Sequence, residues 1–240
     1  MPDQVTLVPE QAVVLEPLNG AIRLNVGCGD CPAAGYYNID SNYEVVTAVA
    51  ILGMQAIHAP AHALPVADAC ADVVYASHIL EHYPVACTAE GQPTAFDALD
   101  EWARVLKPGG QLFVAVPNFE EIARRAISQR ATRDDWVLHL FGQPRPGMNH
   151  YWGWTGKALV AALNAHGFGK ISGGFECFMF KPSGGVHDAS GGTCLADDGT
   201  PICVSMNFKA VREGEPDLPD TPDPSDLSDL SDLSDEAPNA

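Results

Sequence analysis

Three side chains that can bind a metal ion or move a proton stand close together at His78, Glu81 and His82. On a helix, residues at i, i+3 and i+4 share one face, so this His-x-x-Glu-His spacing permits a metal site. Some zinc proteases carry the same pattern, and histidine is also the side chain most often used for general acid–base catalysis. A structural role is the alternative, in which Glu81 and His82 only cap and pack the helix.

A second chemical signal is the loop from Asn25 to Asp30, where Gly27-Cys28-Gly29 follows a short apolar stretch. Glycine has no Cβ, so a ligand can approach the backbone of such a loop closely. A dinucleotide fingerprint needs a third glycine at position 32, where this chain has Pro32. A nucleotide-dependent oxidoreductase is therefore the weaker alternative.

The elements that must position these groups alternate along the chain. Strand patterns occupy residues 22–26, 36–40, 73–76 and 111–116, and helix patterns occupy 95–106 and 155–166. Two further strand patterns, at 170–180 and 202–211, follow one another without a helix between them. This order predicts an α/β fold, a doubly wound and mostly parallel sheet that ends in an antiparallel C-terminal strand pair.

Charge and length bound the organisation of the chain. Of the formal net charge of −18, ten acidic residues and no basic residue lie in 213–240, which leaves −8 on the rest. A negative body disfavours nucleic acid as a partner. The first residues lack a secretory signal, and the apolar run 45–57 is too short to span a membrane. We expect a cytoplasmic protein without a membrane partner.

The predicted domain organisation has three parts. Residues 1–20 form an extended lead-in, residues 21–212 form one domain, and residues 213–240 form a disordered acidic tail. The tail repeats the triplet Ser-Asp-Leu three times over 225–233. It acts as a solubilising appendage or, alternatively, as a contact for a partner.

Five ordered motifs resemble the class I S-adenosylmethionine (SAM)-dependent methyltransferases, and more closely a bacterial subgroup of small type 11-like enzymes. The motifs cover roughly residues 20–170 and begin at positions 24, 38, 64, 77 and 104, reading Leu-Asn-Val-Gly-Cys-Gly, Asn-Ile-Asp, Leu-Pro-Val-Ala-Asp, Ser-His-Ile-Leu-Glu-His and Arg-Val-Leu-Lys-Pro-Gly-Gly. The resemblance implies a Rossmann-like methyltransferase fold with seven strands, with SAM as cofactor.

The resemblance also implies roles for individual residues. The loop residues Asn25, Gly27, Cys28 and Gly29 would line the methionine part of SAM, Asp40 would bind the ribose, Asp68 would lie near the adenine, and Ser77 and His78 would flank the transferred methyl group. Two features depart from the family pattern. Asp40 follows Gly29 by only eleven positions, and the acidic residue that often precedes the Leu64-Pro65 motif is missing.

Metal dependence is a further question that the resemblance raises. Some ubiquinone-biosynthesis O-methyltransferases bind a divalent metal through Glu-x-x-Glu-His, which this chain resembles with His78 in place of the first Glu. The alternative metal set is therefore His78, Glu81 and His82. We predict no metal.

The acceptor side of the site is predicted from an insertion. Residues 118–154 have the size of a lid, and they carry arginines and aromatic residues, namely Arg124, Arg125, Arg130, Arg133, Phe141, Tyr151, Trp152 and Trp154. Aromatic rings can stack on sugars or planar ligands. We predict methyl transfer to an oxygen of a small-molecule or saccharide-like acceptor. The predicted general base is His78, followed by His150 and Tyr151; the alternative is a non-catalytic SAM-binding scaffold.

Overall fold

A mixed sheet of eight strands organises the computed structural model, which describes residues 5–6, 13–86, 89–127, 140–142, 147–174, 193–195, 201–203 and 205–214. The strands of this sheet are β1 (Val5–Thr6), β2 (Arg23–Val26), β3 (Tyr37–Asp40), β4 (Ala56–His58), β5 (Ala71–Ser77), β6 (Leu106–Pro117), β7 (Phe168–Gly174) and β10 (Ser205–Arg212). A separate hairpin pairs β8 (Thr193–Leu195) with β9 (Pro201–Cys203).

The strand order of the main sheet is β1-β4-β3-β2-β5-β6-β10-β7. All pairs from β1 to β6 are parallel, whereas β10 runs antiparallel to both β6 and β7. This arrangement confirms the predicted mostly parallel sheet with its antiparallel C-terminal pair. Six of the eight strands overlap the predicted strand patterns, whereas β4 and the two-residue edge strand β1 match none of them.

The helices whose full extent falls within the described ranges lie between the strands: α1 (Tyr43–Ile51), α2 (Ala95–Val105), α3 (Phe119–Ile127) and α4 (Gly156–Ala165). Helix α2 begins at a capping box in which Thr94 and Asp97 bond to each other's backbone. Thr155 caps α4 as its sequence predicted, because its hydroxyl accepts a hydrogen bond from the amide of Ala158. Both helices match the predicted patterns.

Alternate residues of β5 pack on opposite sides of the sheet. Val74 and Ala76 belong to the main core, to which α2 and α4 contribute, whereas Tyr75 packs with Tyr36 and the half-buried Phe113. Because side chains alternate across a strand, this pattern shows that both faces of the sheet are covered. The doubly wound architecture follows.

Two segments differ from their sequence predictions. The apolar run 45–57 contains most of α1 and the start of the unpredicted strand β4, which are separated by a turn at Gly53. Part of the lead-in pairs with the sheet, since β1 lies parallel to β4 and Val13 forms a bridge with Val66. The acidic tail beyond residue 214 lies outside the described residues. No helix in the described ranges has the length and apolarity needed to cross a membrane.

Candidate active site

The carboxyl ends of four neighbouring parallel strands meet around a cavity of about 310 Å³. Ligands of open α/β sheets bind at this edge, where the strand order reverses. Each strand contributes the residue at its end or just after it. The cavity is lined by Gly27, Gly29, Asp40, Ser41, Ala59, Ala61, His78, Ile79, His82, Tyr83, Gly147 and Met148.

The loop after β2 is held by the neighbouring strand β3. The amides of Gly27 and Cys28 both donate to the carbonyl of Ile39, at 2.7 and 3.0 Å. The amide of Gly29 donates to Oδ2 of Asp40 at 2.9 Å. These three amides already donate to acceptors within the protein. The loop therefore contributes to the cavity through the shape of its backbone and through its two glycines, which have no side chains.

Gly27 is required by its contact with Ile79. Its φ of +67° lies in the left-handed region, and a Cβ added there would stand 1.9 Å from Cδ1 of Ile79. A Cβ at Gly29, which has a φ of +49°, would meet nothing within 4 Å. The open space that was predicted beside both glycines is therefore found beside Gly29.

Asp40 lies where the resemblance placed a ribose-binding carboxylate. It ends β3 and lines the cavity. Its Oδ1 accepts a hydrogen bond from the amide of Asn42 at 2.8 Å, and its Oδ2 accepts the bond from Gly29. A carboxylate can accept further hydrogen bonds at each oxygen, so Asp40 remains able to bind a hydroxyl in the cavity.

Two predicted cofactor residues of the same loop do not line this cavity. The side chain of Asn25 is buried and donates to the carbonyl of Cys31 and to Oδ1 of Asn38. Cys28 packs against α1 at Val46 and Val49, and burial, followed by the charge of Asp40, raises the pKa of its thiol to about 12. Both side chains therefore stabilise the loop through contacts outside the cavity.

Asp68, predicted to lie near the adenine, lies on the surface. Its side chain is 78% exposed and pairs with Arg104 at 2.5 Å. The cavity is instead lined by Ala59 and Ala61, which follow β4. These two residues were not predicted because their positions depend on the end of β4, which has no strand pattern of its own in the sequence.

His78 occupies a strained position between β5 and a short 3₁₀ helix, Leu80–His82. Its φ is +57°, which is rare for a residue with a side chain. Nδ1 lies 3.1 Å from Oε1 of Glu81, and Nε2 lies 3.1 Å from the hydroxyl of Ser205. The ring thus lines the cavity with both nitrogens held by neighbours.

The residue before His78 and the first residue of β10 extend this polar environment. Ser77 ends β5, and its buried hydroxyl has no hydrogen-bond partner within the described structure. The hydroxyl of Ser205 donates to Oδ1 of Asn207 at 2.8 Å. Ser205 was not predicted, because it is 127 positions from His78 in the chain.

Glu81 is a fully buried carboxylate beneath the cavity. Burial by itself raises the pKa of this carboxyl, but the opposing effects of His78 and His82 lower it overall. Apart from the close approach of His78, neither oxygen has a partner with hydrogen-bond geometry among the described residues. Glu81 is therefore an ionised carboxylate whose oxygens can accept further bonds.

The predicted one-face arrangement of His78, Glu81 and His82 is wrong. Only residues 80–82 are helical, in a single 3₁₀ turn, and the left-handed backbone of His78 ends the strand before it. His82 instead approaches His150, with their ring centroids 4.9 Å apart. The group of potential metal ligands in the described residues is Glu81, His82 and His150, whose ligand atoms all lie within 4.8 Å of one another.

A second opening, the aromatic groove, lies beside this cluster. It has a volume of about 400 Å³ and is lined by Phe119, Ala123, Ile127, Leu140, Phe141, His150, Tyr151, Trp152 and Gly153. The Tyr151 amide donates to the carbonyl of Glu81 at 2.7 Å, so the groove and the cavity share one support. His150 and Tyr151, predicted as acid–base residues, thus border the groove.

The arginines of the predicted lid have different surroundings. Arg124 forms an ion pair with Glu121 on the exposed side of α3. Arg130 and Arg133 lie outside the described residues, as does the side chain of Arg125. Trp154, one of the aromatic residues of the predicted lid, is instead buried in the main core.

Solved structures of SAM-dependent methyltransferases share the fold of this chain. The structure resembles a SAM-dependent methyltransferase from Methanosarcina mazei with a TM-score of 0.51 and 18% identity, over 84% of this chain and 95% of that one. A SAM-dependent methyltransferase from Archaeoglobus fulgidus gives a TM-score of 0.50 and 15% identity, over 82% and 88% of the two chains. These likenesses define the fold as that of class I methyltransferases. No curated protein sequence matches the chain.

The sequence itself carries the methyltransferase signature. Residues 24–114, from β2 into β6, match the model of a family described as a methyltransferase domain. This segment includes the loop after β2, the carboxylate of Asp40 at the end of β3 and the residues from His78 to His82. Residues 24–114 therefore form a methyltransferase domain of that family, and SAM is the cofactor that this match implies.

The residues of the cavity fit that cofactor. Asp40 supplies acceptor oxygens, and the space beside Gly29 is open. Ala59, Ala61 and Tyr83 supply a largely apolar wall at the end of β4, where a planar base can pack.

Proposed function

We propose that this enzyme transfers the methyl group of SAM to an oxygen of a small-molecule acceptor that carries a planar or saccharide-like ring. The observation that carries the proposal is the adjacency of two openings. The cavity holds Asp40 and His78, the aromatic groove holds Tyr151 and Trp152, and the backbone bond from Tyr151 to Glu81 joins them.

The cofactor would be held by the strand ends. Asp40 would accept hydrogen bonds from its ribose hydroxyls, the open side of Gly29 would admit its methionine part, and Ala59 and Ala61 would contact its base. When bound, SAM supplies an electrophilic methyl group. Such a transfer needs alignment and the exclusion of water more than covalent help.

The groove supports a ring-bearing acceptor. Tyr151 and Trp152 expose about half of their side chains, at 53% and 46%, and Phe141 exposes 66%. Exposed aromatic rings grouped around one opening are typical of binding surfaces. Rings of this kind pack against sugar faces and planar ligands, and they leave hydroxyl groups free to react.

His78 is the proposed proton acceptor, with His150 and Tyr151 as the next candidates. Glu81 stabilises the protonated imidazole through the 3.1 Å contact at Nδ1. For Nε2 to take a proton from the acceptor, it must exchange its contact with Ser205 for the acceptor hydroxyl. The buried carboxylate and the ring then act together, as in other acid–base pairs.

Labelled-methyl transfer tests this function. The full chain is incubated with SAM carrying a radioactive methyl group and with cell extract separated into small-molecule, RNA and protein fractions. We expect label in a low-molecular-weight product that survives the alkaline hydrolysis of methyl esters and that is released as methyl iodide by hot hydriodic acid, which cleaves methyl ethers. His78→Ala should reduce the label by at least about tenfold, whereas His166→Ala, which changes a histidine paired with Asp100 away from the cavity, should not.

Three results of that experiment would contradict the proposal. Label bound to nitrogen or carbon would contradict the choice of atom. Label in RNA or protein would contradict the acceptor class. SAM binding without transfer to any fraction would instead indicate a non-catalytic scaffold.

A further inference from the structure

The junction between the cavity and the aromatic groove contains three side chains with metal-binding atoms. Glu81 is buried, and His82 and His150 are partly buried. One ligand atom from each lies within 4.8 Å of the other two. His82 lines the cavity and His150 lines the groove, so the cluster stands between the two openings.

Glu81 provides an independent sign that this cluster holds a ligand. Its side chain is 0% exposed, and both carboxylate oxygens lack a partner with hydrogen-bond geometry in the described structure. A buried carboxylate without its full set of bonds is costly to maintain. The contact of Oε1 with His78 relieves one oxygen in part and leaves Oε2 without a partner.

His82 is oriented as metal-binding histidines usually are. Its Nδ1 lies 3.1 Å from the carbonyl of Asn149. Because a carbonyl oxygen only accepts hydrogen bonds, Nδ1 carries the proton, and the neutral ring has a lone pair on Nε2. Histidines that bind metals commonly donate their other N–H to a backbone carbonyl in this way.

His150 is fixed beside the other two by its neighbours on both sides. Asn149 accepts the bond from His82, and the amide of Tyr151 donates to the carbonyl of Glu81 at 2.7 Å. The amide of His150 itself donates to Phe141. The first two bonds hold the loop to the 3₁₀ helix, and the third holds His150 to Phe141, so the His150 ring stays at the cluster.

We infer that Glu81, His82 and His150 form a binding site for one divalent transition-metal ion, with zinc as its best chemical match. Two imidazoles and one carboxylate form a ligand set found in catalytic zinc sites, which leave a further position open. Zinc bonds of about 2.0–2.1 Å place tetrahedral ligand atoms roughly 3.4 Å apart. The ligand atoms, which all lie within 4.8 Å of one another, therefore have to approach by at most about 1.4 Å when the ion binds.

The ion would face the path between cofactor and acceptor. Coordination to such an ion would lower the pKa of an acceptor hydroxyl, so the hydroxyl would give its proton to His78 more readily and leave a more nucleophilic oxygen. This role, unlike the site itself, rests on the proposed function. His78 is not a ligand in this inference, since its Nδ1 contacts Glu81 and its Nε2 contacts Ser205.

Metal binding can be measured without SAM or acceptor, so its outcome is separate from that of methyl transfer. The full chain is freed of metal with a chelator and titrated with Zn²⁺ by calorimetry, and with Co²⁺ by visible absorption. We expect one equivalent of Zn²⁺ and the absorption of four- or five-coordinate Co²⁺. His82→Gln and His150→Gln should each weaken binding by at least about tenfold.

Matched variants keep the test decisive. His166→Gln makes the same change at a histidine outside the cluster and should leave the affinity unchanged. Cys31→Ser removes one thiol of Cys28 and Cys31, which are spaced as a Cys-x-x-Cys pair that could bind zinc, and should also have no effect. His150 is partly exposed on a loop, so His150→Gln should keep the thermal unfolding midpoint of the metal-free protein.

Two outcomes would overturn the site. One is the absence of stoichiometric Zn²⁺ or Co²⁺ binding at micromolar concentrations. The other is binding that survives both His82→Gln and His150→Gln or that disappears in Cys31→Ser.

Discussion

The two sides of the proposed active site, the cofactor side and the acceptor side, are built in different ways. The cofactor side consists of residues at strand ends, and its central bond, from Gly29 to Asp40, joins residues eleven positions apart. The acceptor side depends on distant segments. His78 meets Ser205 across 127 positions, and His82 meets Asn149 across 67.

The sheet positions the residues of the cofactor side, whereas loops position the residues of the acceptor side. Parallel strands in register bring their carboxyl ends together, so the cofactor cavity follows from the topology of the sheet. The acceptor side forms only when the loop at 147–154 docks on the 3₁₀ helix through two bonds. We expect changes on the cofactor side to affect folding and SAM binding, and changes on the acceptor side to affect turnover.

The largest effect is expected for Gly27→Ala. The new Cβ would lie 1.9 Å from Cδ1 of Ile79 and would also impose a left-handed φ on alanine. Overpacking and the backbone penalty together should lower the free energy of unfolding by about 2–3 kcal/mol. Urea denaturation measures this loss.

Gly53→Ala is the matched control for that variant. Gly53 has a φ of +75°, but a Cβ there meets nothing within 4 Å, so only the backbone penalty of about 1 kcal/mol applies. The double variant Gly27→Ala/Ile79→Ala should show a smaller loss than expected from the sum of its single changes. Equal losses in Gly27→Ala and Gly53→Ala would contradict the importance of the Ile79 contact.

Asp40→Asn should weaken SAM binding by about 10–100-fold. Hydrogen bonds to a charged acceptor contribute about 1.5–3 kcal/mol, and each 1.4 kcal/mol is a tenfold change in affinity. Calorimetric titration with SAM checks this. Asp68→Asn changes the exposed partner of Arg104 and should bind SAM with the affinity of the unchanged chain. Weaker SAM binding in Asp68→Asn, with unchanged binding in Asp40→Asn, would support the predicted position of Asp68 near the adenine instead.

Ser205→Ala should lower kcat by up to about tenfold while leaving the affinity for SAM unchanged. The hydroxyl contacts Nε2 of His78 and positions the ring, and one hydrogen bond contributes about 0.5–1.5 kcal/mol. Steady-state kinetics separates kcat from KM, and Ser205→Thr should restore kcat because it keeps the hydroxyl. A changed affinity for SAM with unchanged kcat would place Ser205 on the cofactor side instead.

The smallest effect concerns the pH dependence of stability. The pKa of Glu81 is lowered in the folded chain, despite its burial, by His78 and His82. Its contribution to stability is therefore complete above the ordinary pKa of a carboxyl and is lost as the pH falls through the lowered value.

Comparison with Glu81→Gln isolates this contribution. The stability of the unchanged chain relative to Glu81→Gln should decrease on acidification, as measured by urea denaturation at several pH values. A difference that stays constant down to strongly acidic pH would show that Glu81 does not titrate in this way.

The sequence predicted the cofactor side better than the acceptor side for a physical reason. The strand patterns and Gly27-Cys28-Gly29 are local signals, and they correctly located the loop and Asp40 at strand ends. Strand β4 escaped detection because it has three residues and shares an apolar run with α1. Ala59 and Ala61, which follow β4 and line the cavity, were therefore not predicted either.

The acceptor side could not be predicted because its contacts are not periodic. Nothing in the sequence near His78 indicates Ser205 or a left-handed backbone. The His-x-x-Glu-His spacing suggested a helix, whereas the structure has one 3₁₀ turn and brings in His150 from a loop. Groups of chemically active residues can thus be found in sequence before their geometry is known.

Calorimetric titration of the full chain with SAM and, separately, with NAD tests whether the cavity at the strand ends binds SAM through Asp40. We predict one SAM bound per chain, with the affinity reduced in Asp40→Asn, and no detectable binding of NAD. Binding of NAD without SAM, or SAM binding that does not respond to Asp40→Asn, would contradict it.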